Sequence, residues 1–102
     1  MSIKKQFLKS KQTCKVTFTA NAELIAGAKE VAVLGEFNNW DPSEDTMRKL
    51  KDGSFTKTLE LEIGKEYQFR YLVDGEKWIN DESADKFAYS GVAAEQNSVV
   101  AL

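Results

Sequence analysis

The sequence contains no histidine, a single cysteine (Cys14) and a single proline among its 102 residues. Without histidine, the commonest general base of enzymes is missing, so hydrolytic triads are disfavoured. A lone cysteine cannot form an internal disulfide, and no other thiol or histidine is available to build a zinc site around it. No metal or other cofactor is therefore predicted, and Cys14 is expected to be a buried apolar side chain.

Long apolar stretches and a strong charge of one sign are also missing. No window approaches the ~18 consecutive apolar residues of a membrane span, and the N-terminus lacks the apolar stretch of a secretory signal. The 14 basic and 16 acidic residues give a formal net charge of −2 at pH 7, so no overall field attracts nucleic acid or an anionic membrane. These absences predict a cytoplasmic protein with a neutral partner, one that binds neither nucleic acid nor membranes.

Short runs of alternating apolar and polar residues fill most of the chain, as in residues 14–20 and 67–73. Two Asp-Gly pairs are hairpin signals, and the one at residues 52–53 is expected to form a type I′ turn. No convincing amphipathic helix is present. The pattern predicts an all-β, antiparallel sandwich of about seven short strands over residues 13–102.

The first twelve residues differ from the rest in composition. They carry four lysines and no acidic residue. We expect residues 1–12 to form a mobile or loosely docked arm rather than part of the sandwich.

Both tryptophans lie in polar or turn-forming surroundings. Trp40 is flanked by asparagines, an aspartate and the proline, and Trp78 follows the second Asp-Gly turn. On this evidence each ring could cover the end of the core or present a flat face to solvent. Arg70 alternates with Phe69 and Tyr71, so it is expected to point away from the core, where it could also be a solvated or salt-bridged surface residue.

Several of these segments together resemble carbohydrate-binding module family 48. The stretches that carry the resemblance are residues 35–41 (GEFNNWD), 51–55 (KDGSF) and 67–75 (YQFRYLVDG), followed by Trp78 and Asn80. Their order and spacing match over about residues 13–102. The family includes the glycogen-binding domain of the AMP-activated kinase β subunit and the N-terminal domains of isoamylases and glycogen branching enzymes.

The resemblance implies an early-set, immunoglobulin-like sandwich that binds α-1,4-linked glucan. Carried over by position, Trp40 and Trp78 would be exposed platforms for sugar rings, Arg70 a hydrogen-bond donor and Asn97 an amide that grips a sugar hydroxyl. Asn97 could instead end its loop by bonding to backbone. Residues 91–95 place alanine where the kinase domain has a leucine that projects through the sugar chain.

The sequence therefore predicts a non-catalytic module for glycogen, starch or maltooligosaccharides. A free-standing module of this kind would need a protein partner, such as a glycogen-metabolising enzyme or a kinase. One alternative is a structural or protein-interaction domain that no longer binds sugar. Another is a small glycosidase that uses paired carboxylates, for which the acids of the Trp40 loop are the candidates, namely Glu36, Asp41, Glu44 and Asp45.

Overall fold

The computed structural model describes residues 3–8, 10–23, 25, 27–89 and 96–102. In chain order the strands are β1 (Ile3–Leu8), β2 (Thr13–Ala20), β3 (Val31–Gly35), β4 (Arg48–Lys49), β5 (Phe55–Glu62), β6 (Glu66–Val73), β7 (Lys77–Ile79), β8 (Lys86–Tyr89) and β9 (Gln96–Ala101). A short 3-10 turn at Glu36–Asn38 follows β3. Within the described ranges, no helix has the length and apolarity needed to cross a membrane.

The strands form two antiparallel sheets packed face to face. The first has the order β1-β2-β5-β4, and the second has the order β3-β6-β9-β8, with β7 also paired to β6. Alternate apolar side chains of β2 and β6 meet between the sheets, where the rings of Phe18 and Phe69 lie edge to face with centroids 4.9 Å apart. Cys14 is fully buried in the same core. The predicted all-β, immunoglobulin-like sandwich is confirmed, with β1 and β8 added to the expected strands.

Part of the N-terminal segment forms an edge strand, β1. β1 pairs with β2 in antiparallel register from Ile3 opposite Phe18 to Leu8 opposite Thr13. Ile3 is buried in the core, and Lys5 Nζ donates to the Asp85 carboxylate at 2.7 Å. Composition pointed to an arm because lysines are usually solvated. On an edge strand, however, they can keep their charge near solvent while their backbone pairs with the neighbouring strand.

The two Asp-Gly turns have different geometries. At the second, between β6 and β7, both Asp74 (φ 52°) and Gly75 (φ 69°) have the positive φ that a type I′ turn requires. At the first, between β4 and β5, only Gly53 (φ 89°) does. There the Leu50 N–H donates to the Ser54 carbonyl at 2.7 Å across a three-residue loop. The hairpin is present, but the type I′ prediction for it was wrong.

Strand β6 organises one face of the molecule because it has three neighbours. β3 pairs along one edge of β6, from Val31 opposite Val73 to Gly35 opposite Phe69. A strand has only two edges, so β9 and β7 share the other, β9 along residues 66–69 and β7 along residues 71–73. Position 70 therefore lies at the junction between these two shorter partners.

Candidate functional site

The outer side of the second sheet carries an apolar row beside a polar position. Directly opposed residues of antiparallel strands share a face. Ala32, Leu72 and Trp78 therefore form one row across β3, β6 and β7. Leu34 lies opposite Arg70 in the next row. We call this side, with Trp40 packed on it and Asn97 on β9, the tryptophan face.

Arg70 points away from the core, as its alternation predicted. Its strand neighbours Phe69 and Tyr71 are buried between the sheets, whereas Arg70 is half-buried on the outer side. Arg70 Nε donates to Asn97 Oδ1 at 2.5 Å, a charge-assisted hydrogen bond. Asn97 Nδ2 in turn donates to Gln68 Oε1 at 2.9 Å. Three polar side chains are thus linked in a line across β6 and β9.

The expectation of two exposed tryptophans holds only for Trp78. Trp78 is 45% exposed. Trp40 is half-buried because it packs on the outer apolar cluster of Ala32, Leu34 and Leu72, which would otherwise face water. Neither ring lies inside the sandwich. The two indoles meet edge to face, with centroids 6.4 Å apart and an interplanar angle of 62°, so they form one continuous aromatic surface.

The loop that carries Trp40 is held by the side chain of Asn38. Its Oδ1 accepts from the Gly35 N–H at 3.0 Å. Its Nδ2 donates to the Val33 carbonyl at 3.0 Å and to the Asp45 carboxylate at 2.7 Å. These bonds support a backbone in which Trp40 has φ of 58°. A bulky residue in the left-handed region costs of order 1–3 kcal/mol and persists only where surrounding contacts enforce it.

The start of the same loop is pressed against β6. A Cβ added to Gly35 would lie 2.5 Å from the Gln68 carbonyl oxygen and 2.8 Å from the Phe37 ring. Glu36 Oε1 accepts from the Gln68 N–H at 2.7 Å. Gly35, Asn38 and Gln68 were not predicted as site residues, although all three lie in the stretches that carry the resemblance. Their roles depend on contacts with other strands.

Three of the four candidate acids of this loop, Glu36, Asp41 and Asp45, have structural partners that do not suit glycosidic chemistry. Glu36 and Asp45 accept the bonds described above, and Asp41 Oδ1 accepts from the Ser43 Oγ at 2.7 Å and the Ser43 N–H at 2.9 Å. These bonds, that from the side chain first, hold the pKa of Asp41 below its usual value. A general acid needs the opposite shift. Among the residues that the structure describes, no cluster of three or more histidine, cysteine or acidic side chains could hold a metal.

Asn97 lies on the tryptophan face but is only 6% exposed. It stands opposite Ala88 on β8, and within the described residues its side chain bonds Arg70 and Gln68 rather than backbone. The Asn97 amide therefore bonds neighbouring side chains and does not act to end its loop. The expected alanine substitution within residues 91–95 lies outside the described residues.

Comparison with known proteins agrees with this geometry. The family model described as the glycogen recognition site of AMP-activated protein kinase matches residues 17–97, which include Trp40, Arg70, Trp78 and Asn97. The 5'-AMP-activated protein kinase subunit beta-2 of Mus musculus, Rattus norvegicus and Homo sapiens is 39% identical over 57 residues. This match spans 56% of the chain but only 20% of each relative. The chain belongs to the family of glycogen recognition domains, of the family 48 carbohydrate-binding type, found in AMP-activated protein kinase.

Proposed function

We propose that the tryptophan face binds α-1,4-linked glucan, such as glycogen, starch or maltooligosaccharides. The observation that carries the proposal is an aromatic surface, formed by Trp40 and the more exposed Trp78, beside the bonded pair Arg70 and Asn97. A glucose ring has apolar C–H faces and a polar hydroxyl rim. A flat indole covers the face, and planar nitrogen donors bond the rim.

The two indoles contribute unequally in this proposal. Trp78 offers a large open surface, whereas Trp40 is partly occupied by the apolar cluster beneath it. Covering ~50–100 Å² of indole surface contributes roughly 1–2.5 kcal/mol per ring. After the cost of association, dissociation constants of roughly 10⁻³ to 10⁻⁵ M follow. Modest affinity suffices for a polymer that presents many chain ends.

The domain acts without catalysis of its own in this proposal. Its family is described by recognition of glycogen, and the partners of Glu36, Asp41 and Asp45 keep these acids in structural roles. We place the protein in the cytoplasm, where a glycogen-metabolising enzyme or a kinase would be its partner. Release of reducing sugar from glycogen by the purified domain would contradict this view.

Titration with maltoheptaose, followed by tryptophan fluorescence and amide NMR shifts, tests ligand and site together. Trp78→Ala is expected to weaken binding by roughly 1–2.5 kcal/mol, because it removes the open indole surface. Phe87→Ala is the matched control, since Phe87 on β8 is 44% exposed, nearly the same as Trp78. The control should bind as wild type does. Trp40→Ala should also weaken binding, with an added loss of stability because this ring covers apolar side chains.

Pull-down with glycogen, amylose and cellulose separates the proposal from the interaction-domain alternative. We expect binding to glycogen and amylose but not to cellulose, whose β-1,4 linkage gives a straight chain. Failure to bind any of the three would favour a protein-interaction domain. Equal loss of affinity in the Trp78 and Phe87 variants would place the site elsewhere.

A further inference from the structure

We infer that Gln68 is a positioning residue for the glucan site, acting through Asn97 on Arg70. This inference rests on the proposed function, and Gln68 is not among the site residues predicted from the sequence. Gln68 lies two residues before Arg70 on β6 and therefore on the same face of the sheet. It is half-buried, and its side-chain oxygen accepts from Asn97 Nδ2.

The hydrogen-bonding pattern permits one orientation of the Asn97 amide. An arginine side chain can only donate, so the Nε of Arg70 requires the oxygen of Asn97 to face it. The amide nitrogen of Asn97 then faces Gln68, whose oxygen accepts from it. Because both ends of the Asn97 amide are engaged, its plane is fixed, and the guanidinium of Arg70 is anchored at Nε. Without Gln68, one end of this support is lost.

This arrangement also determines what the cluster offers to a sugar. The side-chain oxygens of Asn97 and Gln68 are each directed at a donor of the protein. The other polar groups of these three side chains are N–H groups, which can only donate hydrogen bonds. The amide nitrogens of Asn97 and Gln68 therefore favour sugar oxygens that accept hydrogen bonds, and the bonds among the three side chains order them before the ligand arrives, which lowers the entropic cost of binding.

Gln68 further connects this cluster to the loop of Trp40. Its backbone N–H donates to the carboxylate of Glu36 at 2.7 Å, and its carbonyl oxygen closely approaches Gly35. The backbone of Gln68 thus contacts the start of the Trp40 loop. Its side chain contacts the polar cluster. Loss of the side chain alone should affect the polar cluster and leave the loop contacts in place.

Two substitutions at this position test the role of the acceptor oxygen. Gln68→Met keeps the length and removes the amide oxygen, and we expect maltoheptaose affinity to fall about fivefold, together with a lower unfolding midpoint because the buried Asn97 amide loses its acceptor. Gln68→Glu keeps an oxygen that can accept from Asn97, so its affinity should stay within about twofold of wild type. If the methionine variant bound glucan as tightly as wild type, the inference would be overturned.

A double-mutant comparison shows whether Gln68 acts through Asn97. Asn97→Ala should weaken maltoheptaose binding, and adding Gln68→Met to it should cause no further loss, because the residue that Gln68 positions is already gone. Independent, additive losses would mean that Gln68 does not act through Asn97.

NMR of the free protein separates failure of this inference from failure of the proposed function. We expect the Arg70 Nε–H signal to exchange slowly with solvent in wild type and faster in both Gln68→Met and Asn97→Ala. If wild type showed this pattern but did not bind maltoheptaose, the proposed function would fail although the linked side chains exist. If wild type bound maltoheptaose and the exchange rates did not differ, only the inference would fail.

Discussion

At the scale of single residues, Tyr71 and Asp81 show how a buried acid is accommodated. Both are 1% exposed, and the Tyr71 hydroxyl donates to Asp81 Oδ2 at 2.6 Å. The other carboxylate oxygen accepts from the Ser83 N–H at 2.8 Å. Buried polar groups must be bonded to avoid a large desolvation cost. This pair therefore fastens the segment after β7 to the core strand β6.

Tyr71→Phe should lower stability and change its dependence on pH. Burial first, and then the charge and hydrogen bond of Asp81, raise the pKa of Tyr71 well above its usual value of 10.0. The folded state then keeps a proton that the unfolded chain releases, so stability is lost as pH rises above about 10. The variant should be less stable by about 1.5–3 kcal/mol near neutral pH, because Asp81 loses a donor.

Urea unfolding of both proteins between about pH 8 and 11 measures this effect. The wild-type free energy of unfolding should fall more steeply with pH, by up to about 1.4 kcal/mol per pH unit from this one group. The two curves should therefore converge at the alkaline end. Parallel curves over the whole range would show that the Tyr71 hydroxyl does not titrate differently in the folded state.

Gly35→Ala is expected to disturb the site by steric conflict. Gly35 has φ of −170°, an extended conformation open to any residue, so the constraint is space. The added Cβ would meet a backbone oxygen of β6, which cannot move away as a flexible side chain can. We expect a loss of about 1–3 kcal/mol in stability together with weaker glucan binding. Gly64→Ala, with φ of 79° and open space around it, should lose about 1–2 kcal/mol from backbone strain and keep its affinity.

The residues of the site were only partly predictable. Alternation along β6 predicted that Arg70 points outward, and the resemblance supplied Trp40, Trp78 and Asn97 as candidates. Neither the alternation nor the resemblance could show that Asn97 bonds Arg70. These two residues lie 27 positions apart and meet only through the register of β6 and β9. The half-burial of Trp40 was missed for a similar reason. The apolar residues beneath it, Leu34 and Leu72, lie on β3 and β6, and they come together under the Trp40 ring only in the folded molecule.

At the scale of elements, local patterns revealed the central strands better than the edge strands. β2 and β6 alternate clearly because one side of each faces the core. β1 and β8 carry lysines, and the large hydrophobic residues Phe7, Phe87 and Tyr89 on them remain exposed at the edge. An edge strand forms its backbone hydrogen bonds with one neighbouring strand, and the local sequence does not show which strand that is.

Ile3→Ala tests whether β1 belongs to the sandwich. Ile3 is 7% exposed and packs in the core cluster, so truncation should lower the free energy of unfolding by about 2–4 kcal/mol. Phe7→Ala is the matched control, because Phe7 lies on the same strand and is 56% exposed. It should cost less than about 1 kcal/mol. Urea unfolding compares the two, and a near-zero effect of Ile3→Ala would support the loosely docked arm instead.

At the scale of the whole molecule, the weak net charge and a neutral ligand lead to one more expectation. Ion pairs are screened when ionic strength rises, whereas stacking of sugar on indole and hydrogen bonds to hydroxyls involve no net charge on the ligand. With a formal net charge of −2, the protein gains nothing from long-range attraction to maltoheptaose. The affinity should therefore change by less than about twofold when NaCl is raised from about 50 to about 500 mM.

The same titration can be repeated with Arg70→Lys and Arg70→Gln to test whether the positive charge of Arg70 contributes to binding. If Arg70 serves as a hydrogen-bond donor, each variant should weaken binding while leaving it insensitive to salt, because neither lysine nor glutamine carries a donor at the Nε position from which arginine bonds Asn97. If instead the affinity of wild type for maltoheptaose fell tenfold or more with added NaCl, chloride would be competing for the site, which would show that Arg70 binds an anion through its charge. The uncharged glucan would then be the wrong class of ligand for this face.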